Sequence, residues 1–249
     1  MAASVHEDRG QGPGVVLLHG VGVGPGSFAP LAEALCDRHR VVVLERPGAP
    51  GEAADLAAHA DRIAEVVAAR LGVGARLVGV SGGATLGLVL AERHPDLFGS
   101  YVLHEPLLGR LAPALHHRFQ LAAASAADGP DPAMEVVAAV MGPDTWRALG
   151  SEGRADAHRH AQRWREEIAM FATFDPTPDS LLRLGRRPVL TTVGGRSAPE
   201  RVVVADVLAE LAGAEVRTVA GAGNAVQLDA PRAFATIVAD WSPEPVGAP

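Results

Sequence analysis

The chain has 249 residues, 48% of them apolar and 20% charged, enough for one large α/β domain with a core buried between helical layers. Its formal net charge of −7 argues against a nucleic-acid partner, which would want a basic surface. It contains no lysine, which excludes a Walker A phosphate loop, a Schiff-base lysine and a Ser-x-x-Lys acylation dyad.

Short β-branched runs alternate with alanine-rich helical patterns, the signature of βαβ units on a mostly parallel sheet. Ser4–Glu7 reads as an edge strand and Val15–Leu18 as the first core strand. At its end stands His19-Gly20-Val21-Gly22, followed by Pro25-Gly26-Ser27-Phe28 and a helix over Ala29–Cys36. A dinucleotide-binding turn competes for this loop, but the spacing fails. Ser27 follows Gly22-Val23-Gly24 and Pro25 follows Gly20-Val21-Gly22 where G-x-G-x-x-G wants glycine or alanine.

A strand over Val41–Leu44 leads into Glu45-Arg46-Pro47-Gly48. In the next helix, Ala53–Arg70, Leu56, Ile63, Val66 and Val67 recur at helical spacing. The strand Leu77–Val80 then runs into Gly79-Val80-Ser81-Gly82-Gly83, a G-x-S-x-G between a strand and the helix Ala84–Arg93. Such a turn needs small neighbours and lifts the serine hydroxyl above the carboxyl edge of the sheet. The backbone N–H groups of Val21 and Gly82 are placed to form an oxyanion hole beside Ser81.

The strand Tyr101–His104 ends at Glu105, and there the alternation stops. Residues 105–185 read as a lid of three or four helices, broken at Gly129-Pro130, Gly142-Pro143 and Asp175-Pro176. It is inserted into a core made of 1–104 and 186–249. Within the lid, Met134, Val137, Met141, Trp146, Trp164, Phe171 and Phe174 suit either a pocket wall or lid packing. The core resumes with the strand Val189–Val193, the helix Pro199–Leu211, the strand Val216–Val219 and the helix Pro231–Trp241.

The run Val16–Phe28, the Glu45–Gly48 turn, the Ser81 elbow and the segment Gly221–Phe234 together resemble the α/β-hydrolase superfamily, outside the lid and in the right order. That resemblance implies Ser81 as nucleophile and a histidine base after the last strand. The family's Gly-x-Gly-His is here Gly221-Ala222-Gly223-Asn224, and an amide cannot accept a proton at neutral pH. Its usual aspartate is missing near Gly194-Gly195-Arg196-Ser197, which leaves Glu105, at the end of the preceding core strand, as the alternative acid. His104 is the least implausible substitute base. His116, His117, His158 and His160 belong to the lid and read as exposed helix residues.

Three classes of function follow: a serine esterase with a degenerate triad acting on a small ester or acyl substrate, a non-hydrolytic lyase or cyclase on the same fold, or a silent ligand-binding protein. A His-to-Asn substitution engineered into an active hydrolase would read the same way. No metal or cofactor set is visible: His158-Arg159-His160 lacks ligand spacing, and Cys36 stands alone, without a disulfide partner. No apolar run approaches the ~18 residues of a membrane span, and the first fourteen residues carry charges in place of a signal peptide's apolar stretch. A soluble cytoplasmic protein with a small-molecule substrate is expected; a homodimer stays open.

Overall fold

The computed structural model describes residues 3–48 and 55–243. Seven strands form one sheet: β1 (Ser4–Arg9), β2 (Gly14–Leu18), β3 (Arg40–Glu45), β4 (Ala75–Val80), β5 (Phe98–His104), β6 (Val189–Gly194) and β7 (Glu215–Val219). Their order is β1-β3-β2-β4-β5-β6-β7. β1 is antiparallel to β3, and the other pairings are parallel. This is an α/β-hydrolase fold.

The β-branched runs form central strands because both sheet faces are covered, so every position can be apolar. Along β2, Val16 and Leu18 join a core with helices α2 (Leu56–Leu71) and α3 (Gly82–Arg93), whereas Val15 and Leu17 face the opposite core. That second core holds α1 (Ala29–Leu35) and residues from the closing segment, including Phe234 and Trp241. The sequence boundaries agree within a few residues. Ala53 and Ala54, read as the start of α2, lie outside the described residues.

The insertion differs from expectation. It carries six helices where the sequence suggested three or four: α4 (Pro113–Ala127), α5 (Pro130–Met141), α6 (Pro143–Ala148), α7 (Gly150–Arg159), α8 (Ala161–Ala172) and α9 (Pro178–Leu184). The additional breaks fall at Leu149 and His160. α9 packs on α3 and on α10 (Pro199–Ala212), so it belongs to the core layer. α4, α5 and α8 pack together, with Met134, Val137, Met141, Trp164 and Ile168 in a shared apolar cluster. Two further helices, α11 (Val226–Asp229) and α12 (Pro231–Asp240), follow β7. No helix among the described residues is long and apolar enough to cross a membrane.

Candidate active site

Ser81 sits between β4 and α3 with φ 52° and ψ −116°, a backbone region that non-glycine residues rarely occupy. The turn is possible because its neighbours come very close. A Cβ on Gly79 would lie 2.6 Å from the Ala84 Cα, and one on Gly83 only 2.1 Å from the Leu18 carbonyl oxygen. Both motif glycines are therefore demanded by contact. The Ser81 N–H donates to the His104 carbonyl at 2.8 Å, which ties the elbow to the end of β5.

Gly20, Val21, Ser81, Gly82, Asn224 and Gln227 line one cavity beneath the lid. Gly82 begins α3, so its N–H has no acceptor within the helix. Apart from Arg201 the remaining wall is apolar and includes Val137, Met141, Ile168 and Phe171. Of the lid residues singled out from sequence, Val137, Met141 and Phe171 therefore face the cavity, Met134 and Trp164 pack the lid, and Phe174 packs on the core. The inner cavity measures only about 40 Å³ and shares Phe119, Val136, Val140, Met141, Arg201 and Asn224 with an outer groove of about 400 Å³.

Glu105 and Asn224 are brought together. Glu105 also has positive φ, 50°, which breaks the side-chain alternation of β5 and turns its carboxylate back over the sheet edge. Oε1 accepts the Gly194 N–H at 2.9 Å and Oε2 accepts the Asn224 amide at 2.9 Å. Arg201 donates to the Glu105 carbonyl at 3.0 Å, with its Nε 3.6 Å from Oε2. Burial alone would push the Glu105 carboxyl up, but the His104 ring, the Arg201 guanidinium and its hydrogen bonds hold it below the ordinary carboxylate range. Because an ionised carboxylate only accepts, Asn224 must offer it Nδ2, and the amide oxygen points the other way.

His104 is not aimed at Ser81. Its Nε2–H donates to the Gly223 carbonyl at 3.1 Å, Nδ1 accepts from the Thr192 hydroxyl at 2.9 Å, and the ring packs on Phe234. Burial pushes its pKa down. Asp229 accepts the Gly223 N–H at 2.7 Å, so both sides of Gly223 are fixed next to Asn224.

A second buried network went unseen in the sequence. Arg46, 1% exposed, pairs with Glu167 of α8, 2% exposed, and donates to the Gly20 carbonyl at 3.1 Å. Arg163 bridges Glu45 at 2.7 Å and Glu167 at 3.0 Å. One guanidinium thus fastens both the lid and the loop that carries Val21. Among the described residues, no three histidine, cysteine or acidic side chains cluster as metal ligands.

A family model described as "Alpha/beta hydrolase family" matches residues 15–237. The pimeloyl-[acyl-carrier protein] methyl ester esterase of Chromobacterium violaceum is 40% identical over 97 residues, covering 39% of this chain and 38% of that protein. The matched part is thus well under half the length of that curated relative. A thermophilic esterase from Thermogutta terrifontis superposes with a TM-score of 0.78 at 21% identity, covering 96% of this chain and 92% of the other. The enol-lactonase from Burkholderia xenovorans LB400 gives 0.76 at 18% identity, with 96% and 95% covered. Both structural likenesses speak to the fold.

Proposed function

This chain belongs to the alpha/beta hydrolase family, and we propose that it takes a small ester or acyl-type substrate at Ser81, with Asn224 standing where the triad's base would be. One observation carries the proposal: Ser81 and the Glu105-held Asn224 open onto the same small, mostly apolar cavity. The ester-cleaving relative supports the substrate class.

Ser81 Oγ attacks the acyl carbonyl, and the Val21 and Gly82 N–H groups receive the developing oxyanion. Collapse of the oxyanion breaks the ester C–O bond, the departing alkoxide takes a proton from water, and a second water hydrolyses the acyl-serine to the acid and free Ser81. Asn224 orients the hydroxyl or a water and takes no proton, so proton removal falls to solvent. Losing a triad base costs on the order of 10⁶ in turnover and leaves ~10³–10⁴ over water. The expected activity is slow acyl transfer. Labelling with a fluorophosphonate probe and cleavage of short p-nitrophenyl esters test this. Weak, Ser81-dependent reaction supports it, and labelling that persists in Ser81→Ala overturns it.

Non-hydrolytic use of the same cavity has one observation in its favour. Glu105 accepts from Gly194 and from Asn224 with Arg201 beside it, so the asparagine is held in one place over the cavity.

A further inference from the structure

Gln227 is 1% exposed, lines the Ser81 cavity, and has an Oε1 with no hydrogen-bond partner. It is the one cavity-lining residue, among those described, with a buried side-chain atom left unpaired. Buried amide oxygens are almost always paired, and an apolar side chain of the same shape would avoid the penalty altogether. The orphan therefore calls for a function.

The orientation of the amide follows from the Ser27 hydroxyl. Gln227 Nε2 faces Ser27 Oγ at 3.5 Å, and Ser27 donates its only hydroxyl proton to the Gly24 carbonyl at 2.8 Å. Ser27 Oγ can then only accept, so the NH₂ end of Gln227 must face it and the oxygen end must face elsewhere. The same logic, imposed by Glu105, turns the Asn224 oxygen away from the carboxylate. Asn224 and Gln227, each with its amide nitrogen committed elsewhere, thus both line a cavity whose other walls are mostly aliphatic or aromatic.

Resting on the Ser81 cavity as the ligand site, we propose that Gln227 determines specificity, selecting acyl compounds that carry an N–H or O–H donor next to the carbonyl. The donor must be close because Ser81 and Gln227 line the same inner space of about 40 Å³, while the rest of the ligand extends into the outer groove. Amides and hydroxyacyl compounds meet this requirement, and plain alkyl esters do not. A ligand without a donor leaves Oε1 unpaired.

Methyl hexanoate and N-methylhexanamide test this as a matched pair, since they differ only by O against N–H beside the carbonyl. Dissociation constants are measured by isothermal titration for the unaltered protein and for Gln227→Met, with Gln227→Leu as a second variant in case the first folds poorly. Comparing the amide-to-ester ratio between proteins cancels the ligands' own hydration. That ratio should shift by about tenfold in favour of the ester when Gln227 is replaced, the size expected of one net hydrogen bond. Binding of both probes with an unchanged ratio overturns the role of Gln227 and leaves the cavity standing. If neither probe binds the unaltered protein, the cavity is not the acyl site, and the inference falls with it.

Discussion

The Asn224 amide donates to Glu105 across 2.9 Å, the relationship in which a triad carboxylate orients its base. Here the carboxylate is in place, ionised and buried, and the residue it orients cannot titrate. Asn224→His should raise turnover on short p-nitrophenyl esters by at least ~10²-fold, and the pH profile should gain a break near the histidine pKa of ~6.5. Steady-state kinetics from pH 5 to 8 check both. An unchanged rate would direct attention to non-hydrolytic chemistry.

Arg46 and Glu167 form a buried pair between the core and lid helix α8. Arg46→Met leaves a carboxylate buried beside only Arg163, and the expected loss is about 3–5 kcal/mol in urea unfolding. Replacing both by methionine should lose far less. A double-mutant cycle with no coupling would show that the pair does not hold the lid.

Acid should weaken the protein before its carboxylates protonate. Burial, reinforced by Arg46, pushes the His59 pKa down from its ordinary 6.5 to about 4. Between those values the unfolded chain binds the proton more readily, so the stability is present above pH 6.5 and is lost as pH falls toward 4. Burial would raise Glu45, yet its contacts with His19 and Arg163 bring it down to about 2, which adds a later loss between pH 4.5 and 2. Denaturation of the unaltered protein and of His59→Gln at pH 7 and pH 5 separates the steps. The variant should show the shallower dependence.

The elbow offers a steric test. Gly83→Ala puts a methyl into the Leu18 carbonyl and should cost about 3 kcal/mol or more. At Gly26 nothing lies within 4 Å of the added carbon, so alanine there should stay within about 0.5 kcal/mol of the parent. Equal effects at the two positions would contradict the elbow's geometry.

The sheet was legible because apolar runs such as Val41–Leu44 have the length and β-branching of strands covered on both faces. Lid breaks were legible where proline follows glycine or aspartate. They were not legible at Leu149 and His160, where no proline stands; at the first, Gly150 with its φ of 68° turns the chain between α6 and α7. Ser81, Glu105 and Asn224 could be located because each follows a core strand. Arg201 and Gln227 could not, because helix packing alone brings them to the cavity. Arg46 and Glu167 lie 121 residues apart, and no local pattern announces such a pair.

Ser81 and Glu105 are the only described residues other than glycine with positive φ, and they close neighbouring strands. Each such conformation carries strain of order 1–3 kcal/mol. Glycine at either place would relax the backbone at once, so a sequence under no demand but folding has an easy exit at both positions. It has taken neither: serine and glutamate hold both positions, the second within hydrogen-bond reach of Asn224.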